Sequence, residues 1–308
     1  MLEVKRGSMI RATVIVAAIS AVVAGTARSA IYWGNYGSNA SGTTIGRANL
    51  DGSNPNQSFF SKASGPVGVA VDQKYIYWSD TLNSSCGGTT IGRAKIDGTA
   101  PIPTFIKGAS CAHGIAVNGS YIYWANRGPS GTGTSLGRAR LNGTGVNTNF
   151  ITGATGPWGV AIDRKYIYWT NRGTGTGSPC GGSIGRANLD GSDVNQNFIT
   201  TGVDGPTGIT VNAGHLYWSN GCGTTIGRAN LDGTAVNPSF IKGIPQPAGL
   251  AVNSLYIYWA EFANPTAAGG GGLIGRAKLN GTGVNRRFVT GASSPTGIAL
   301  DTRKASKP

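Results

Sequence analysis

The side chains able to do chemistry in this chain are few. Its 308 residues include two histidines, His113 and His215, and four cysteines, Cys86, Cys111, Cys180 and Cys222. Acidic residues number 12 against 26 Lys and Arg, for a formal charge of +14. Trp158, His113, Arg127 and Arg172 stand where the chain departs from its own internal pattern. Such a set can hold an anionic or sugar-like ligand by stacking, hydrogen bonding and charge. The catalytic alternative is a lyase or hydrolase with His113 as general base and Arg127 and Arg172 as anion clamps. Which reading holds depends on the elements that position these groups.

Those elements come from a repeat. A Tyr-Trp pair ends at Trp33, Trp78, Trp124, Trp169, Trp218 and Trp259; Trp158, the seventh tryptophan, lies outside the pattern. An Ile/Leu-Gly-Arg-Ala segment places glycine at 46, 92, 137, 185, 227 and 275 and runs into Asp-Gly or Asn-Gly. A third block, mostly Pro-x-Gly, places glycine at 68, 114, 159, 208, 249 and 297. The runs "VGVAVD" and "YIYW" read as strands, the Asp-Gly turn closes a hairpin, and the segment around a recurring Phe supplies a fourth strand. Four antiparallel strands in a period of about 45 residues describe a propeller blade.

Six periods predict an all-β, six-bladed propeller. The chain begins at the second strand of a repeat and ends after a first strand, "PTGIALD". The N-terminal strands are therefore expected to complete the last blade, which hides the sheet edge that a linear array would leave open.

The motifs Tyr-Trp-x-Asp/Asn, Ile-Gly-Arg-Ala-x-Leu-Asp-Gly and Pro-x-Gly-hydrophobic-Ala resemble the YWTD repeat, the class B repeat of low-density-lipoprotein receptors. The resemblance covers residues 31–301 and implies a six-bladed propeller. The fourth motif position is Asn35, Asp80, Asn126, Asn171, Asn220 or Glu261, so the family's structural Asp is mostly replaced here. EGF-like modules do not flank the repeats, and a receptor role does not carry over.

The spacings separate scaffold from variation. From the third-block glycine to the next Tyr-Trp tryptophan is ten residues, and from the Gly-Arg glycine to the turn glycine is six. The interval from tryptophan to the Gly-Arg glycine instead runs 13, 14, 13, 16, 9 and 16. The variable loops between strands two and three share one face with the starts of the first strands, the usual layout of a binding surface. The middle residues of the third block, Val67, His113, Trp158, Thr207, Ala248 and Thr296, are expected to ring the mouth of the central channel on that face. Arg127 and Arg172 follow Asn126 and Asn171 in the same sector.

Most acidic residues are absorbed by turns, strand ends or the fourth motif position, leaving Asp193 and Asp204; Asp204 joins the candidate contacts. Six-bladed lactonases and phosphatases need several acidic or amide ligands on the axis, and that cage is hard to assemble from this inventory. No metal and no cofactor are expected. His215 replaces a repeated Tyr and reads as a packing substitute. The six arginines at 47, 93, 138, 186, 228 and 276 recur with the repeat, so the basic charge is partly architectural. That argues against a specific nucleic-acid partner, which needs basic residues gathered along one path with interleaved aromatics.

Lys5, Arg6 and Arg11 precede an almost wholly apolar run at 14–24 and then Gly25-Thr26-Ala27. Residues 1–27 read as a signal peptide and 28–308 as the propeller. The run is shorter than the roughly 20 residues of a membrane span; an uncleaved anchor and a start at Met9 are the alternatives. Export makes disulfides available. Of the three pairings four cysteines allow, 86–111 with 180–222 is the expected one, with free thiols or a metal cluster as alternatives. The expectation is a secreted, monomeric, noncatalytic binding propeller for a cell-surface glycan, acidic polymer or protein, with no membrane contact after signal cleavage.

Overall fold

A computed structural model describes residues 29–83, 85–173, 180–212, 214–262 and 272–302. The signal-peptide reading of 1–27 lies outside these residues. Among the described residues, twenty-four strands form six four-stranded antiparallel sheets, the blades of a six-bladed propeller. Strands Pro66–Val71, Tyr75–Asp80, Thr90–Lys95 and Ile102–Lys107 make the first blade. The second to fifth blades repeat this order, starting at Ala112, Pro157, Pro206 and Pro247.

The sixth blade joins the two ends of the chain. Its innermost strand is Pro295–Asp301, and Ala30–Asn35, Thr44–Asn49 and Asn56–Ser61 follow outward. Trp33 pairs with Ile298 and Ala30 with Asp301, so the ring is closed by backbone hydrogen bonds.

The core lies between the blades. Each Tyr-Trp strand sends its two aromatic rings to opposite faces of its sheet, as strand alternation requires. Tyr32 shares a cluster with Trp78, Tyr77 with Trp124, Tyr123 with Trp169, Tyr168 with Trp218, Tyr217 with Trp259, and Tyr258 with Trp33. All twelve rings are essentially inaccessible to solvent. At about 150–250 Å² per tryptophan and roughly 25 cal/mol per Å², each contributes a gross of about 4–6 kcal/mol.

The Gly-Arg glycine is required by the same packing. A Cβ on Gly46, Gly92, Gly137, Gly185, Gly227 or Gly275 would overlap the indole of its own blade's tryptophan. The neighbouring arginine seals the outer side: the Arg138 guanidinium lies 3.9 Å from the Phe150 ring centroid and 4.4 Å from that of Tyr121. Its Nη1 donates to the Leu189 carbonyl of the next blade at 3.4 Å. Arg93 and Arg186 reach Leu141 and Leu231 in the same way.

The fourth motif position is explained by hydrogen bonding. Each indole N–H needs an acceptor in the dry space between blades. Trp33, Trp124 and Trp218 donate to Asn35, Asn126 and Asn220; Trp78 donates to Asp80 and Trp259 to Glu261. Asn fits best because its amide nitrogen also donates to a fourth-strand carbonyl, as Asn126 does to Thr148 at 2.7 Å. Glu261 instead pairs with Arg286 at 2.6 Å.

Candidate functional site

Each first strand carries a β-bulge. Pro157 pairs with Asn171 and Val160 with Trp169, so Trp158 and Gly159 take the place of a single residue. The bulge recurs at the same step in all six first strands. A bulge bends its strand and re-aims a side chain, and the re-aimed residues are Val67, His113, Trp158, Thr207, Ala248 and Thr296. All six line one cavity of about 400 Å³ at the loop end of the channel. The strands can crowd the axis because their glycines meet backbone: a Cβ on Gly114 would lie 2.7 Å from the Gly159 Cα. The other end of the channel is lined mostly by Val, Ile, Leu and Ala.

A second tier of residues follows the fourth motif position: Tyr36, Thr81, Arg127, Arg172, Gly221 and Phe262. Their amides are held by the neighbouring segment, as Arg172 N is by the Gly156 carbonyl. Tyr36, Arg172, Gly221 and Phe262 join the cavity wall. Tyr36 and Phe262, from the sixth and fifth blades, pack with ring centroids 5.9 Å apart. Arg127 and Arg172 belong to the second and third blades. The mouth therefore has an aromatic side and a cationic side, facing each other across a sixfold ring. Sequence reasoning found the two arginines but missed Tyr36 and Phe262. The signal was available: both occupy the same offset, directly after the fourth motif position.

On the cationic side the expected residues come together. The Cζ atoms of Arg127 and Arg172 lie 4.7 and 4.6 Å from the Trp158 ring centroid. The His113 ring meets the same indole edge-on at 4.3 Å. No carboxylate among the described residues pairs with either arginine. Burial lowers the pKa of both guanidiniums, and for Arg127 the like charge of Arg172 adds to this. Two partly desolvated cations without an acidic partner form an uncompensated positive site.

His113 is 5% exposed, and its Nδ1 has no hydrogen-bond partner among the described residues. Its Nε2 faces Cys86 Sγ at 3.7 Å. Burial, and then Arg127 and Arg172, hold its pKa well below the ordinary histidine value, so the ring is neutral. With the proton on Nε2, Nδ1 is a buried acceptor without a hydrogen-bond partner among the described residues. His215 lies at the start of its strand, 6.1 Å from Tyr217 in ring-centroid distance and away from this cavity.

Cys86 and Cys111 are bonded, with Cα atoms 5.2 Å apart, and the bridge ties the first-blade loop to the start of the second blade beneath His113. Cys180 and Cys222, expected as the second bridge, stand as neighbouring thiols. Asp204 is not part of the mouth: its carboxylate lies with these two thiols, all three donor atoms within 4.8 Å of one another. No metal is expected from the sequence; what the structure adds is this grouping of three donor groups. Residues 180, 204 and 222 are too far apart along the chain to show ligand spacing, and only the juxtaposition of the third and fourth blades joins them.

No family model matches this chain, and no curated protein matches it. Among solved structures it is similar to a chain from the "Crystal structure of Nidogen/Laminin Complex", with 19% identity and a TM-score of 0.67. The match covers 90% of this chain and 99% of that one, a likeness of the whole propeller fold.

Proposed function

We propose that the chain is an exported YWTD-type propeller that acts as a noncatalytic binding module for an acidic glycan, taken up at the loop-face mouth of its channel. The observation that carries this reading is the pair of guanidiniums over one indole with no carboxylate to neutralise them. A uronate carboxylate supplies the missing charge, and Trp158, Tyr36 and Phe262 offer ring surfaces for the sugar. Other acidic polymers and proteins carrying clustered carboxylates are competitors for the same site. The YWTD-like repeat and the Cys86–Cys111 bridge support an extracytoplasmic setting.

The test is calorimetric titration with oligogalacturonate, a neutral oligosaccharide of equal length, and polyglutamate. Saturable binding of the uronate alone, weakened by salt and by Trp158→Ala, supports the proposal. Equal binding of the neutral sugar, or uronate binding unaffected by Trp158→Ala, overturns it.

An enzymatic reading, lyase or hydrolase with His113 as base, draws on the unpartnered Nδ1 of that ring. The depressed basicity of that nitrogen weakens it as a proton acceptor, because an effective base titrates near the working pH. His113-dependent turnover of the uronate substrate would restore this second reading.

A further inference from the structure

Outside the channel mouth, the described residues bring together a mixed group of thiols and a carboxylate whose sulfurs are not joined in a disulfide. Cys180 comes from the loop between strands two and three of the third blade. Asp204 precedes the first strand of the fourth, and Cys222 follows that blade's second strand. From the juxtaposition of these two sulfurs and one carboxylate we infer a divalent metal site, for a borderline-soft cation of the zinc class.

The donor set fits such an ion. Two thiolates and one carboxylate within 4.8 Å of one another match a site with three protein ligands. Cys180 is exposed, so a fourth position opens to solvent. A divalent cation neutralises two of the three negative donors, which favours its uptake over that of a monovalent ion. Loading the ion onto the thiols releases two protons, one from each sulfur.

The site is built by the backbone before any ion binds. Gly205 N donates to the Gly181 carbonyl at 3.0 Å, joining the Cys180 segment to that of Asp204. Cys222 N donates to the Asp204 carbonyl at 3.3 Å, and Asp204 N to Asn220 Oδ1 at 3.0 Å. At the position of Asp204 other blades carry Ser64, Ser110, Thr155 and Ser293, whose amides make the same bond to the fourth motif residue. The carboxylate is therefore a departure from the repeat at a position the scaffold already holds, and it occurs only beside the two cysteines. The other cluster of this type, Cys86, Cys111 and His113, has its sulfurs tied up in a bond.

The probe is cobalt(II), then zinc, added to the unmodified full chain, with alkylation of a separate sample to map its thiols. One equivalent is expected to produce thiolate-to-cobalt charge-transfer absorption with tetrahedral visible bands, and zinc is expected to bleach it. Cys180→Ser and Cys222→Ser should each abolish the absorption, and Asp204→Asn should weaken cobalt affinity by roughly tenfold or more. Absence of the absorption in protein whose thiols alkylate freely would overturn the inference. So would a Cys180–Cys222 disulfide found in protein purified with zinc and without reductant. The cobalt readout does not depend on glycan binding, so its failure is distinct from failure of the mouth assignment.

Discussion

The imidazole of His113 stands edge-on to the indole of Trp158, with centroids 4.3 Å apart and planes at 76°. The two residues occupy the same bulge position in adjacent blades, 45 residues apart in sequence. This contact orients the indole so that Arg127 and Arg172 can both approach its ring. An orienting ring below and charged groups beside it make Trp158 the centre of the proposed site.

Removing either arginine should therefore weaken binding of an anionic oligosaccharide. Loss of one charge-assisted contact costs about 1.5–3 kcal/mol, roughly 10- to 100-fold in affinity. Arg127→Ala and Arg172→Ala, titrated at low and moderate salt, should also show a flatter salt dependence than the parent chain.

Binding should not change with pH as an ordinary histidine titrates. His113 is held well below its usual value by burial and by two nearby cations. Affinity measured between about pH 6 and pH 8 is expected to stay level. A sharp rise on protonation within that window would mean that the imidazolium forms in the complex.

Asp80 predicts a pH-dependent stability. Burial raises its carboxyl to about 7 from 3.8, although Ser64 N and Trp78 Nε1 both donate to it. The folded state thus holds a proton that the unfolded state releases, so stability should fall as pH rises from about 4 to about 7 and then level off. Asp80→Asn should remove that slope and stabilise the protein at pH 8 by up to about 4 kcal/mol. The amide would also supply the donor that Asn35, Asn126, Asn171 and Asn220 send to their fourth strands. Urea denaturation of both proteins at pH 5 and pH 8 checks this.

Gly137→Ala should be strongly destabilising despite alanine's small size. The new methyl would overlap the Trp124 indole, which is fully buried against the neighbouring blade and cannot retreat. Overpacking of this kind costs about 1–3 kcal/mol or more. The loss should appear as a lowered denaturation midpoint; an unchanged midpoint would show that the indole can shift.

Arg286→Ala tests the ion pair with Glu261. Glu261 keeps the Trp259 indole donor but loses Arg286, leaving a nearly inaccessible carboxylate short of its charge partner. Breaking a buried pair this way can cost about 3–5 kcal/mol. Exposure of the Arg286 side chain at 41% places the expected loss below that range. Glu261→Gln in the same background should recover part of it, read by thermal denaturation.

The architecture was legible in the amino-acid order because a propeller is a local code repeated. Strand alternation, the Asp-Gly turns and the constant spacing of Trp and Gly are set within about 45 residues, and the complementary ends implied closure. The position of Trp158 was legible for the same reason, since comparing six copies of Pro-x-Gly isolates the variable slot. The pairing of Tyr36 with Phe262 was not, because it joins neighbouring blades drawn from opposite ends of the chain. The meeting of Cys180, Asp204 and Cys222 was equally hidden, since it depends on how two blades bring their loops side by side. Sequence alone thus determined what each blade is, through short-range hydrogen bonding and hydrophobic alternation. Tertiary structure decided which loop residues meet, because only closure of the ring sets the distances between blades.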